Sequence, residues 1–310
     1  MAGKVFISCG QRPPDETAIA HQIRDLLKSK FDLDSYLAFK VQSFDDVMQI
    51  TNELSSCDYY LFIDFGREKL GWFGQRRGSL FTHQELAIAR HLGFSEIIAL
   101  QQKGVLLEGF AKYILSNPEY FLDKEDLLVK VENLVRDRGW KKSYSRNLII
   151  KDVVRNQPIS YRDRQMSSSR TEVIWHGHVV NQRNDIAAAN TSVILKHIED
   201  AQGRITRPDT TFLKWAFHDS TYSKTIFPEQ DAFFDLLAID AGNPLNVYLH
   251  SLLDSVVVTP TFAGRPPIIS GPAGSYRLTY QLFGENFPIL EFTVILTLTG
   301  NISTTAVSYA

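Results

Sequence analysis

One change of hydrophobic period, near Thr171, constrains this chain more than any other feature of its sequence. Before it, short apolar runs alternate with segments whose apolar residues recur at helical spacing. After it, only short strand-like segments remain, separated by clusters of Gly, Pro, Asn and Asp. A chain of 310 residues is long enough for two domains, and the change of pattern says where one gives way to the other. With 44% hydrophobic residue types there is apolar surface enough for a core in each, which excludes wholesale disorder.

The first part opens with the apolar run Val5-Phe6-Ile7-Ser8, broken by Gly10 and Pro13-Pro14 as a buried strand ending in a loop would be. Ile19, Ile23, Leu26 and Leu27 then predict an amphipathic helix over Thr17 to Lys30. A short stretch around Tyr36-Leu37-Ala38, a polar helix from Phe44 to Leu54 and the run Tyr59 to Phe65 follow, the last reading as a strand buried on both faces. A helix from Leu80 to His91, a strand at Ile97 to Leu100 and a closing helix from Glu125 to Arg138 complete a doubly wound α/β pattern. Such a sheet is parallel and holds its ligands outside the carboxyl ends of the strands. The first domain is therefore expected over 1–140. Residues 141–170, rich in Arg, Lys and Ser, read as a linker or extended arm. Residues 171–310 read as an antiparallel β-sandwich, with strands near 171–180, 192–198, 232–239, 245–249, 275–283 and 289–298. Tyr276, Tyr280, Phe283, Phe287 and Phe292 are expected mostly in its core.

Charge and cysteine narrow the function classes. Thirty-three basic residues against thirty-five acidic leave a formal charge of -2, so no overall positive field exists to hold nucleic acid or an anionic membrane. Cys9 and Cys57, with no Cys-x-x-Cys pair, argue against a disulfide framework or a cysteine zinc site and fit a reducing cytosol. There is no apolar run long enough to span a bilayer, so a soluble, cytoplasmic protein is expected.

The segment Ser79-Leu80-Phe81-Thr82-His83-Gln84-Glu85-Leu86 is the strongest candidate for chemistry. Phe81 and Glu85 are four residues apart, so an aromatic ring and a carboxylate project together from the first turns of a helix. They form either a carboxylate and stacking platform at the crevice mouth, or a dipole-favoured Glu with Phe81 in the core. Ser79 fits an N-cap, a ribose contact or an orienter of Glu85. The loop Ser8-Cys9-Gly10-Gln11-Arg12 follows the first strand, where Gly10 allows close backbone approach and Arg12 suits a phosphate, although an exposed turn reads equally well. Cys9 has no partnered His and reads better as a small buried thiol than as a nucleophile. Phe65-Gly66-Arg67 ends the best strand and can line the same crevice, and Arg76-Arg77-Gly78 is a second phosphate candidate. Ser8, Cys9, Gly10, Gln11, Arg12, Phe65, Ser79, Phe81 and Thr82 make up the candidate substrate-binding set around Glu85. His83 reads as a ligand contact or a residue facing water. His176-Gly177-His178 invites a zinc reading but lacks a third ligand at convincing spacing, so a polar strand face is expected and no metal is assigned. Asp231, Asp235 and Asp254 have no partner pattern.

Lys4-Val5-Phe6-Ile7-Ser8 and Ser79-x-Phe81-x-x-x-Glu85-Leu86 resemble the first strand and the acidic helix motif of Toll/interleukin-1 receptor (TIR) domains. FISCGQ, DYYLFIDFGRE and RGSLFTHQELAIA together resemble a bacterial branch of TIR-like proteins that carries a β-sandwich behind the TIR domain, and GSYRLTYQLFGENFP resembles that sandwich. Phe81 stands where many catalytic members have Trp. The resemblance implies a flavodoxin-like TIR domain followed by an immunoglobulin-like sandwich acting in assembly or sensing. It implies cleavage of NAD+ between nicotinamide and ribose, with possible cyclisation of the ADP-ribose, in bacterial antiviral defence. NAD+ is then substrate rather than cofactor, Glu85 the catalytic carboxylate, and activity depends on homo-oligomers or filaments joined through TIR and sandwich contacts. Lys40 to Asp46 occupies the place of the family's BB loop, which makes Phe44 and Asp45 candidate assembly contacts, and a downstream effector protein is a further expected partner. Two alternatives stand beside this reading: a non-catalytic TIR adaptor that stacks with partner TIR domains, and a nucleotide-sensing module without turnover.

Overall fold

The structure, a computed structural model, describes residues 3–10, 14–37, 44–70, 75–109, 111–115, 117–157, 159–162, 169–208, 211–217, 221–250 and 267–310. The chain divides into two compact units, Met1–Arg146 and Asn147–Ala310.

The first unit runs through β1 (Lys4–Cys9), α1 (Pro14–Phe31), β2 (Asp34–Leu37), α2 (Phe44–Ser56), β3 (Tyr59–Asp64), β4 (Glu68–Leu70), β5 (Gln75–Arg77), α3 (Leu80–His91), β6 (Ile97–Gln102), β7 (Val105–Leu106), α4 (Ala111–Ile114), β8 (Glu119–Phe121) and α5 (Lys124–Asp137). β2, β1, β3, β6 and β8 pair in that order, every pairing parallel. β1 has β2 on one side and β3 on the other, so the strand order reverses there and the carboxyl ends of β1 and β3 flank the switch point of the sheet. Side chains of these strands alternate between two helical layers. Val5, Ile7, Cys9, Tyr59, Leu61 and Ile63 pack with α1 and α5, whereas Phe6, Tyr60 and Phe62 pack with α2, α3 and α4. Coverage of both faces is why Tyr59–Asp64 is an almost unbroken apolar run. β4, β5 and β7 form a small separate sheet, too short to have shown a period in the sequence.

The second unit runs through β9 (Ile149–Arg155), β10 (Ile159–Arg162), β11 (Ser169–Val180), β12 (Ala188–Glu199), β13 (Ile205–Thr206), β14 (Lys224–Ile226), β15 (Asp231–Asp240), β16 (Asn246–Tyr248), β17 (Ile269–Ser270), β18 (Gly274–Gly284), β19 (Phe287–Leu298) and β20 (Ala306–Tyr309). One antiparallel sheet has the order β10-β11-β15-β16-β17, with β9 also on β11, and the other has β13-β12-β18-β19-β20, with β14 also on β12. Both line one hydrophobic core, whose bulky members include Trp175, Trp215, Phe234, Tyr280 and Phe292. Tyr276, Tyr280, Phe287 and Phe292 are buried, and Phe283 is half-buried. The chain is thus a parallel α/β unit followed by an all-β unit.

Much of the expected linker over 141–170 is strand. Residues 149–155 and 159–162 are strands hydrogen-bonded to β11. Leu148 and Ile150 belong to the core of the second unit, so a few apolar positions were sufficient once β11 supplied the pairing. Nor does the first unit end at Trp140. Arg146 is buried, donating from its guanidinium to the carbonyls of Cys57 (2.7 Å), Leu92 (2.8 Å) and Ser55 (2.6 Å). Its guanidinium also lies 4.4 Å from the Phe94 ring centre, so an arginine that reads as solvated is a staple of the first unit.

Candidate functional site at the start of α3

The first turn of α3 is set by Asp64, the last residue of β3. Asp64 is fully buried, and its Oδ1 accepts from the Ser79 backbone N–H at 3.1 Å. Oδ2 pairs with His83 Nε2 at 2.9 Å and accepts from Gln101 Nε2 at 3.3 Å. The open N–H groups of a helix start attract a carboxylate. Here it comes from a neighbouring strand, while the Ser79 side chain makes no capping bond. A Cβ at Gly78 would lie 2.1 Å from Asp64 Oδ1, so this approach requires glycine.

Two turns into α3, Glu85 meets β1. Its Oε2 accepts from Ser8 Oγ at 2.5 Å, and Ser8 is fully buried near the carboxyl end of β1. Glu85 as a residue is half-buried. Burial pushes its carboxyl up to about 7, against the downward pull of the Ser8 hydroxyl. The group therefore exchanges its proton near neutrality, unlike an ordinary surface carboxylate. Phe81, one helical turn before Glu85, is 60% exposed, which removes the reading that put it in the core. The first turn of α3 contains no acidic residue, so Glu85 is not a helix-start carboxylate either.

The rest of the candidate set separates into three groups. Cys9 and Phe65 are directed to the opposite face of the sheet, as strand alternation requires of the neighbours of Ser8 and Asp64. Cys9 is buried with its thiol pushed far up by burial, and Phe65 packs edge-on against Phe121, so neither lies on the face of the sheet that meets Glu85. Thr82 is buried and donates to the Ser79 carbonyl at 2.8 Å, a local helix-start bond in place of a ligand contact. His83, which the sequence left open to ligand or water, is buried on Asp64. Gly10 does permit a close approach, but by Arg67, whose guanidinium forms an ion pair with Glu16 there. Arg77 pairs with Glu108 at 2.8 Å. Gln11 and Arg12 lie outside the described residues, and of Phe44 and Asp45 only the backbone, opening α2, is described. A cavity of about 290 Å³ lined by Arg90, Ser95, Ile97, Asn117 and Arg138 lies at the amino end of β6, the other end of the sheet from Ser8.

The second unit holds a buried polar network that the sequence did not reveal. His250 is held between Asp235 (2.7 Å) and Glu172 (3.2 Å), while Asp235 also meets His176 at 2.8 Å. Asn156 is 2.6 Å from the other nitrogen of His176, and His178 bridges Asp152 (2.9 Å) and Asp231 (2.8 Å). The two histidines that suggested zinc thus meet carboxylates on adjacent strands. Burial would raise Asp235, but the hydrogen bond to His250 and the close contact with His176 outweigh it and draw Asp235 down to about 2, and the two carboxylates raise His250 to about 9 against its own burial. Asp254 lies outside the described residues.

No protein-family model and no curated protein matches the chain. Among solved structures, a 2-desoxiribosyltransferase from Leishmania mexicana is similar at 15% identity and a TM-score of 0.31, over 42% of this chain and 97% of that one. A β-glucosidase from Erythrobacter marinus is similar at 8% identity and a TM-score of 0.29, over 94% of this chain and 46% of that one. At these scores neither likeness assigns a fold or an activity.

Proposed function

We propose that the first unit is a TIR-type NAD+ glycohydrolase with Glu85 as its working carboxylate. The observation that carries this reading is the Ser8–Glu85 hydrogen bond, which sets a proton-exchanging carboxyl beside the switch point of the sheet with the exposed ring of Phe81 one turn away. The strand order, second-first-third-fourth-fifth among the parallel strands, supports the flavodoxin-like part of the same reading.

The chemistry asks little else of the protein. Nicotinamide is bound to ribose as a pyridinium cation. When the C1′–N bond breaks, its electron pair goes to the ring nitrogen and nicotinamide leaves neutral, so no general acid is needed. What must be stabilised is the positive charge left on the ribose, and a carboxylate held against the ribose hydroxyls does this. Ser8 fixes the orientation of Glu85, and Phe81 offers a face on which a ring can stack. Water adding at C1′ and losing a proton gives ADP-ribose, and attack by an adenine nitrogen gives a cyclic product instead. The ionised carboxylate is the active form. The all-β unit then serves assembly or sensing in an antiviral role, with NAD+ and further copies of the chain as partners.

The test is nicotinamide release from NAD+ by the full chain and by Glu85→Ala, with product analysis by chromatography. Wild-type release with a folded, silent variant is the expected result. No release by either, with TIR partners still recruited, favours the non-catalytic adaptor, NAD+ binding without release favours the sensing module, and equal release by both overturns the role of Glu85.

A further inference from the structure

Tyr60 carries a polar group for which its surroundings have no packing use. The residue is fully buried on β3, stacked on Phe6 (5.8 Å between ring centres) and edge-on to Phe94 (5.9 Å). A phenylalanine would pack the same way. Its hydroxyl is buried and forms no well-aligned hydrogen bond, although the Ser8 hydroxyl is close enough to act on it, a costly condition that natural cores seldom tolerate without a reason. In the register of β1 and β3, Phe6 lies opposite Tyr60 and Ser8 opposite Phe62, which puts Tyr60 and Ser8 on one face as diagonal neighbours. After burial, the influences on the Tyr60 phenol are the charge of Glu85 and the Ser8 hydroxyl, so the phenol stands beside both.

We propose that Tyr60 is a positioning residue for Glu85: its O–H donates to Ser8 Oγ when Glu85 is ionised, so that the single Ser8 proton is committed to Glu85. A serine hydroxyl has one proton to give and lone pairs to receive. While Glu85 is protonated, it can itself donate to Ser8, and Tyr60 is idle; in the geometry observed the Ser8 hydroxyl donates to Glu85 and the Tyr60 hydroxyl is not aligned on Ser8. Once Glu85 ionises, Ser8 must donate, and the Tyr60 hydroxyl is the neighbouring donor that can fill its vacated lone pair. Each bond in such a chain polarises the next. Among the described residues, Tyr36 on β2, Tyr60 on β3 and Cys9 on β1 feel the Glu85 charge, and of these the Tyr60 phenol is the one that the Ser8 hydroxyl acts on.

This inference rests on Glu85 being the working carboxylate, and its test is independent of turnover. The experiment follows the side-chain carboxyl carbon of Glu85 by NMR in the full chain labelled with 13C-glutamate, assigned by its loss in Glu85→Gln, from pH 4 to 9. The midpoint is expected near 7 in the wild type. It should rise in Ser8→Ala, and by about half a unit to one unit in Tyr60→Phe. With 3-fluorotyrosine in place of Tyr60, a stronger donor on the same ring, it should fall, and this arm decides the matter if the phenylalanine variant does not fold. An unchanged midpoint in Tyr60→Phe or with the fluorinated ring overturns the proposal and makes the hydroxyl a mere packing defect. Shifted midpoints in a protein that releases no nicotinamide leave the Tyr60 proposal standing and remove the NAD+ reading alone.

Discussion

Glu85 answers two opposing demands. Ionised, it would serve the electron-poor ribose of the proposed reaction. Protonated, it is easier to keep against β1. Its folded carboxyl is raised from the usual 4.5 to about 7, so the proton it holds favours the folded state fully below about 4.5, and that contribution is lost as pH rises through about 7. Above that, the fold carries a desolvated charge costing at most about 3 kcal/mol. Glu85→Gln should therefore melt higher than wild type at pH 8, melt alike at pH 4, and release no nicotinamide at either. A variant that melts lower at pH 8 would mean that the carboxylate is a structural tie. Gly78→Ala is the companion change. Its new Cβ would be driven into Asp64 Oδ1, and displacing that carboxylate should cost about 1–3 kcal/mol and loosen the start of α3. Thermal melting and nicotinamide release should fall together, and an unaltered melting point would show that α3 does not depend on Asp64. At this scale the sequence singled out Glu85, Phe81 and Ser8 as candidates. It could not reveal that Ser8 and Cys9 are divided between two faces of the sheet until β1 was fixed in register, nor that Asp64 closes an apolar run by reaching into the next helix.

The elements were legible in proportion to their length and period. The stripe Phe81, Glu85, Ile88 and Leu92 predicts α3, whose bounds in the structure are Leu80–His91, but on the wrong face: Leu86 and Ala89 are buried, whereas Phe81 and Ile88 are exposed. β9 and β10 were not readable, because the apolar residues of β9 come in adjacent pairs that break a period of two, and both strands are held by pairing with β11. The same dependence on pairing hides the polar network of the second unit: Glu172, His176, Asp235 and His250 are far apart in sequence and meet only across β11, β15 and the end of β16. Its pH dependence follows from the shifts. Asp235, lowered from 3.8 to about 2, contributes stability that is present above about 3.8 and is lost as pH falls through 2. His250, raised from 6.5 to about 9, contributes stability that is present below about 6.5 and is lost as pH rises through 9. Unfolding of the second unit should therefore need the highest temperature between about pH 4 and 6.5, as followed by the fluorescence of its buried Trp175 and Trp215. Asp235→Asn, which leaves the His250 cation short of a buried partner, should cost about 3–5 kcal/mol and flatten that profile. A profile unchanged by the substitution would show that the network carries no net charge in the fold.

For the whole molecule, composition and the change of period foretold a parallel α/β part followed by an all-β part. They misjudged the join, because Arg146 is buried in the first unit and Leu148 in the second. Among the described residues no helix is long and apolar enough to cross a membrane. The proposed dependence on assembly belongs to this scale: nicotinamide release per unit of protein should climb with concentration, whereas a constant specific activity through a dilution series would contradict it. The most direct test of the central claim, that ionised Glu85 drives cleavage, is the rate of nicotinamide release at saturating NAD+ from pH 5.5 to 8.5, for wild type and Glu85→Gln at one assembled concentration. The wild-type rate should rise through a midpoint near 7 to a plateau, following ionisation of the carboxyl, with the variant silent throughout. A silent wild type, or a variant that matches it, would contradict the account.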